Sequence, residues 1–435
     1  MTTKVISILQ GMKTFVQDAL NEREKYLTRV QDFTRHRVLS FDKLCFFMVN
    51  QSKRSLSIEL DEHFGYYDQT SCTKGAFSKA RYRVLWCFFR DWHRHFISMM
   101  YTQPKDLAKW KGYYLKGIDG TSLYLFRDEE IEKEFGIQSN QHTRIPMARA
   151  GLEVDVLNGY CTQAQLQPYS EGEKAFAEAF LENATEKDVL IYDRYFASFE
   201  LIFKHLQKDI RFVMRCKIGF NQVVKRFVAS GKKQTLVEFP IPVKARSTLQ
   251  KQGYDVEAKT TIRVRLLRID IGQKEPEILI TNLYCLKRYP HSCFKEVYNY
   301  RWGDETKFDQ VKNKLQIEVF SGHKPQAVYQ DFFATIIAAN LHNLILCQCE
   351  QELQQINAQR KIPVAINQNV SIGLLKPRLI ELFTTTQPNH IFEQIKELFL
   401  GHLEPIRPGR IYPRTKTARR LKGKFQTFKN YRRAC

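Results

Sequence analysis

The stretch 298–314, YNYRWGDETKFDQVKNK, sets Tyr298, Arg301, Glu305 and Lys312 three, four and seven residues apart. On a helix advancing about 100° per residue, those offsets gather the four side chains into an arc of roughly 60°. Val297, Phe308, Val311 and Leu315 form an apolar stripe beside it. The spacing therefore predicts one helix that packs along one face and displays a carboxylate among cations and a ring on the next. A plain i,i+4 ion pair between Arg301 and Glu305 on a solvated helix accounts for the same pattern. Two more carboxylates are placed for chemistry. Asp119 follows the apolar run YYLKGI, with Gly120 behind it to let the backbone turn, and Asp193 ends VLIY. Each is expected at the C-terminal edge of a sheet. Carboxylates so placed suit phosphodiester chemistry in which two divalent cations about 3.5–4 Å apart clamp the attacking and leaving oxygens. Mg²⁺ favours such hard oxygen ligands. Asp119 could equally be a turn aspartate and Asp193 a helix cap for SFELIF, while Glu153 and Asp155 are rival acids in a strand-like stretch.

The elements that must carry these residues follow from hydrophobic periodicity. Residues 1–105 read as helical and basic. Within them SIELDEHFGYYDQTSCTKGAFSKARYRVLWCFF suggests two helices joined by a short turn at Gly65, the second capped by Ser71 or Thr73. That helix would bury Phe77, Ala80 and Val84 and turn Lys74, Ser78, Lys79, Arg81 and Tyr82 outward, as a helix entering a DNA groove or any basic surface helix would. From residue 112 strands begin: GYYLKGIDGTSLYLF, kinked at Gly120, then two strands turning at Asn158-Gly159. EGEKAFAEAFLENA and SFELIFKHLQ read as helices, DVLIY and IRFVMRCK as buried strands. This alternation describes a mixed sheet covered by helices, an α/β fold. Residues 218–290 read as a β-strand insertion made of TLVEFPI, TTIRVRLLRIDI and EILITNLYCL, and LQIEVFS as one more strand before a helix from about Pro325 to Gln355.

The balance of 68 Lys and Arg against 46 Asp and Glu, a net charge of +22, points to a polyanionic partner, nucleic acid above all. Eleven Lys or Arg and no acid fall in the closing PIRPGRIYPRTKTARRLKGKFQTFKNYRRAC, a segment suited to ordering on a phosphate backbone. No apolar run reaches the length of a membrane span and no cationic leader opens the chain, so a cytoplasmic protein is expected. The ten cysteines show no CxxC pair and no zinc spacing.

GIDGT, YDRYF and YNYRWGDETKFDQVK, in that order, resemble the three catalytic blocks of a DDE transposase. The likeness is to bacterial insertion-sequence transposases of the insertion-sequence-four family, marked by a Tyr, Arg, Glu, Lys signature that is complete here at Tyr298, Arg301, Glu305 and Lys312. The resemblance implies a ribonuclease-H-like core in two parts, 106–217 and 291–355, interrupted by the insertion at 218–290. A helical DNA-binding domain (1–105) would precede it, and a helical region with the basic tail (356–435) would follow. It implies that Asp119, Asp193 and Glu305 hold two Mg²⁺ ions, for which Mn²⁺ may substitute. Arg301 and Lys312 would hold phosphates of the transposon end, Tyr298 would contact the same strand, and Trp302 would follow the arginine as is common in the family. Lys74, Lys79 and Arg81 would bind DNA from the N-terminal region. Double-stranded DNA, inverted-repeat ends and target alike, would be the partner of a homodimer, with no membrane involved. Some relatives stack a flipped base on a tryptophan of the insertion; here Trp86, Trp92, Trp110 and Trp302 all lie outside 218–290, leaving Phe220, Phe227 or Tyr254 for that task.

Overall fold

The computed structural model describes residues 2–102, 106–139, 144–270, 275–301 and 307–406. Six helices come first: α1 (Thr2–Asp18), α2 (Arg23–Tyr26), α3 (Phe41–Asn50), α4 (Leu56–Gly65), α5 (Lys74–Arg81) and α6 (Cys87–Thr102). The middle of the chain runs β1 (Tyr114–Tyr124), α7 (Glu129–Phe135), β2 (Ile137–Ser139), β3 (Arg144–Asp155), β4 (Tyr160–Pro168), α8 (Lys174–Glu182), β5 (Asp188–Tyr192), α9 (Phe199–Gln207) and β6 (Arg211–Cys216). It continues through α10 (Gln222–Ala229), β7 (Gln234–Pro240), α11 (Val243–Lys251), β8 (Thr261–Ile269), β9 (Glu277–Thr281) and α12 (Cys293–Asn299). After a π-helical turn (Gln310–Lys314) come α13 (Pro325–Gln348), α14 (Glu350–Ala358), β10 (Val364–Ile366), α15 (Gln368–Thr384), α16 (Pro388–Leu400) and β11 (Leu403–Pro405).

Nine strands form one mixed sheet in the order β2-β3-β1-β5-β6-β9-β8-β7, with β4 also on β3. β1, β3 and β4 side by side, followed by β5 and β6 in parallel across helices α8 and α9, make the ribonuclease-H-like arrangement. The segment 218–290 is less purely β than its sequence suggests. It holds α10 and α11, and its strands extend the same sheet through the antiparallel pairing of β9 on β6. LQIEVFS forms no strand; Leu315, Ile317 and Phe320 are buried without a ladder. β1 runs unbroken through Gly120.

Two compact units are distinguishable. One comprises Lys105–Leu123 and Ala148–Phe308. Here side chains alternate across the sheet as a two-residue period requires. Leu190 and Tyr192 join Phe212 and Met214 under α8–α11, whereas Val189 and Ile191 join Val213, Leu279 and the α12 residues Val297 and Tyr298 on the opposite face. The other unit comprises Met1–Pro104, Tyr124–Met147 and Asp309–Cys435. Its centre is α13, in which 17 of 24 residues are buried. Trp86 stacks on Tyr329 and Phe333, and Phe46 on Phe383. Among the described residues no single helix is long and apolar enough to cross a membrane.

Candidate active site

β1 and β5 pair in parallel from Tyr114↔Asp188 to Ile118↔Tyr192. Asp119 and Asp193 are the next residue on each strand, so the register sets them side by side, with neighbouring parallel strands about 4.8 Å apart. Alternation sends both to the face that α12 covers, the side of Val189 and Ile191. β5 is buried along its whole length, and a slip of one residue would exchange the side chains packed in its two different cores, which holds this register. Asp193 is no helix cap: Ser198 caps α9 through the Leu201 N–H.

From α12, the buried Tyr298 hydroxyl donates to Asp193 Oδ1 at 3.4 Å. The Arg301 guanidinium lies 5.7 Å from the Tyr298 ring centre and is 5% exposed. Burial pushes the Asp119 carboxyl up to about 6, and Glu173 and Asp193 add to the rise. The Gly120 N–H, donating to Asp119 Oδ1 at 2.8 Å, and the Arg301 charge oppose it. The Tyr298 hydroxyl is also pushed up, mainly by burial.

Two carboxylates that the sequence did not single out belong to this neighbourhood. Glu173 is tied to Arg149 at 2.9 Å and lies so close to Gly120 that a Cβ there would meet its Cγ at 2.9 Å. Gly120 thus lets the Glu173 side chain approach closely, whereas the expectation was a turn. Glu277 opens β9 and pairs with Arg215 at 3.0 Å; burial raises it, and Asp193 contributes. Neither had a sequence signal: Glu277 arrives through the order of strands in the sheet, and Glu173 from the start of α8. Glu153 and Asp155, the rival acids, are structural. Glu153 and Asp188 share the Lys116 ammonium at 3.3 and 3.2 Å, and Asp155 accepts from the N–H groups of Leu157 and Asn158 in the β3–β4 turn.

The expectation of one regular helix from 298 to 312 needs correction. α12 stops at Asn299, and residues 310–314 are π-helical, closed by Leu315 N–H to Gln310 O at 2.8 Å. Glu305 and Trp302 lie outside the described residues, as does the tail from 407. Lys312 stands on the π-turn in the other unit, 3.6 Å from Glu318. Tyr298 and Arg301, expected to reach DNA, are both buried and engaged with the carboxylates.

The N-terminal expectation also changes. Thr73 caps α5 by accepting from the Ala76 N–H, and Lys74 and Lys79 are exposed. Arg81 does not face outward. It is 1% exposed and bonds to Asp331 at 3.1 Å, to Gln330 at 3.0 Å, to Ser321 and to the Ala327 carbonyl, so it is a core cation. Eight residues separate α4 from α5, too many for the three- or four-residue turn of a helix-turn-helix. The candidate stacking rings are occupied as well. Phe227 is buried, Phe220 stacks on Phe199 at 4.8 Å, and Tyr254 meets the Phe203 ring edge-on at 5.7 Å.

Among the described residues no three Asp, Glu, His or Cys side chains are grouped to hold a metal. Asp119 and Asp193 nevertheless suit a divalent cation. They are adjoining oxygen ligands, and a cation would offset the burial and the neighbouring Glu173 and Asp193 charges that raise Asp119.

A mixed sheet of this strand order, with Asp119 inside β1 and Asp193 just past β5 brought side by side, defines the class as a ribonuclease-H-like α/β protein. Residues 110–341, more than half of the chain, match the Transposase DDE domain, and the chain belongs to that family. It is similar to Transposase InsG for insertion sequence element IS4 of Escherichia coli (strain K12), with 21% identity over 316 residues, 70% of this chain and 68% of the relative. A cryo-EM structure of the piggyBac transposase synaptic complex with hairpin DNA aligns with a TM-score of 0.44 and 11% identity, over 98% of this chain and 90% of that one.

Proposed function

We propose that this chain moves an insertion sequence by cut-and-paste. As a homodimer it binds the terminal inverted repeats, cleaves the element's ends and joins the freed 3′-hydroxyl to target DNA. The observation that carries the reading is the in-register placement of Asp119 and Asp193 within a DDE family member. Glu305 is the proposed third carboxylate. Two Mg²⁺ ions, or Mn²⁺ in their place, would supply Lewis-acid activation of water and of the scissile phosphate at these three residues.

The chain's own groups do the positioning. Tyr298 fixes one Asp193 oxygen by its hydrogen bond and so orients the carboxylate, whose other oxygen would serve as a metal ligand. Arg301 offsets the negative charge at Asp119 before substrate arrives. Lys312 meets a phosphate of the bound end. Trp302 contacts the same strand. Lys74 and Lys79 on the exposed side of α5 add backbone contacts from the 1–105 region. The protein acts in the cytoplasm, on nucleoid DNA.

A labelled duplex carrying the element's own ends tests this. The chain should nick it in Mg²⁺ or Mn²⁺, join it to a plasmid, and do neither in EDTA. Asp193→Asn should keep end binding and lose nicking by orders of magnitude. Nicking without joining would reduce the protein to a nuclease, and binding without either would leave a DNA-binding protein.

A further inference from the structure

Within the unit built of Met1–Pro104, Tyr124–Met147 and Asp309–Cys435, a cleft of about 680 Å³ opens between α4, the π-turn and α15. Its charged lining is Arg54, Lys314 and Lys376 against one carboxylate, Glu62. Glu62 is bonded to Arg54, and Lys314 reaches Asp309 at 3.4 Å and Gln368 at 3.1 Å, so both cations are held in place by partners of their own. Lys376 is partly buried and has no carboxylate within ion-pair distance among the described residues. Burial, with Lys53 adding to it, pushes its ammonium down to about 8. Glu59 opposes that shift without cancelling it, so such a cation gains from a further anion. Ser52 and Asn369 offer hydrogen-bonding side chains on the same walls. Gly373 is a helix-interior glycine with nothing within 4 Å of where a Cβ would stand, so a chain can approach α15 closely.

We propose that this cleft holds the sugar-phosphate backbone of duplex DNA, with Lys376 on a phosphate and the paired Arg54 and Lys314 flanking it. It lies outside the carboxylate site. Lys314 stands two residues beyond Lys312 on the same π-turn, so one short element would serve both the signature contact and this one. The inference rests on the DNA-binding reading above and extends it to the surface formed by α4 and α15.

The test uses the full chain and a 40-bp duplex of arbitrary sequence. Affinity is measured against salt for wild type, Lys376→Gln and Gly373→Glu. The glutamate adds a carboxylate to open space in the cleft and leaves the core alone. Each variant should bind several-fold more weakly at low salt, and Lys376→Gln should flatten the slope of log K against log salt by about 0.9. Unchanged affinity and slope in both variants, with wild type still binding, overturns the proposal and leaves the transposase reading standing. Failure of wild type to bind at all would sink that reading instead. As a second readout, acetylation of Lys376 by an amine-reactive ester should be blocked by the duplex and not by inorganic phosphate at equal phosphate concentration. Equal protection by both would make the cleft a small-anion site and overturn the assignment to DNA. Thermal melts of both variants within a few degrees of wild type guarantee that the comparison is between folded proteins.

Discussion

At the scale of residues, geometry separates groups that act from groups that hold. The Tyr298 bond to Asp193, at 3.4 Å, lies at the long end of hydrogen-bond distances. Its loss in Tyr298→Phe should cost about 1 kcal/mol of transition-state stabilisation, roughly a five-fold fall in nicking rate. End binding should be nearly unchanged. An equal fall in binding would instead make the hydroxyl a DNA contact. Arg81 belongs to the opposite class. Burial pushes its partner Asp331 up, but Arg81, Lys53 and the Ser321 donors outweigh this and hold the carboxyl below its ordinary value. A depressed carboxyl contributes stability that is present above its unfolded value, near 3.9, and is lost as pH falls through the folded one. Arg81→Met should therefore cost about 3–5 kcal/mol at pH 7 in urea unfolding, and the gap from wild type should narrow below pH ~4 as Asp331 takes up a proton. A gap that is constant with pH would mean that packing around Arg81, not its charge, is what matters.

At the scale of elements, what the sequence reveals depends on how local the deciding contacts are. β5 was legible because VLIY is an unbroken apolar run, and the β3–β4 turn because Asn158-Gly159 demands it; Gly159 has φ 72°. The pairing of Asp119 with Asp193 was legible only as two strand ends, since the register that joins them is a property of the sheet. α11 escaped notice because VKARSTLQK buries only Ala245 and Leu249, too little apolar surface for a periodic signal. α5 was placed correctly and its outward face misread. Phe77 and Val84 are buried as expected, but Arg81 finds Gln330 and Asp331 some 250 residues further on, which no local pattern announces. What holds α5 at its start is local. Thr73→Ala should remove one capping bond and cost about 1 kcal/mol, measured by chemical denaturation. If Lys74 and Lys79 bind DNA from an ordered helix, duplex affinity should fall as well. A stability loss with unchanged affinity would remove α5 from the DNA surface.

At the scale of the whole molecule, the question is how a charge of +22 is shared among its uses. Part of it is structural, as with Arg81 on Asp331 and Lys116 between Glu153 and Asp188; these cations are already neutralised and release no counterions when DNA binds. Eleven cations, half of the net charge, lie in residues 407–435 with no acid among them. Free cations act on a phosphate backbone through counterion release, each engaged one steepening the slope of log K against log salt by about 0.9. Removing 407–435 should therefore flatten that slope by several units and weaken binding to all duplexes alike. Phosphate contacts carry no sequence information, so the preference for the element's ends over random DNA should persist. Affinity for an end and for a random duplex, each measured at three or more salt concentrations, separates the two effects. If the truncated chain keeps its salt slope, the tail is not a DNA-binding segment. If it keeps its slope but loses discrimination, the tail reads sequence, and its interleaved Tyr412, Phe425, Phe428 and Tyr431 become the side chains to replace next.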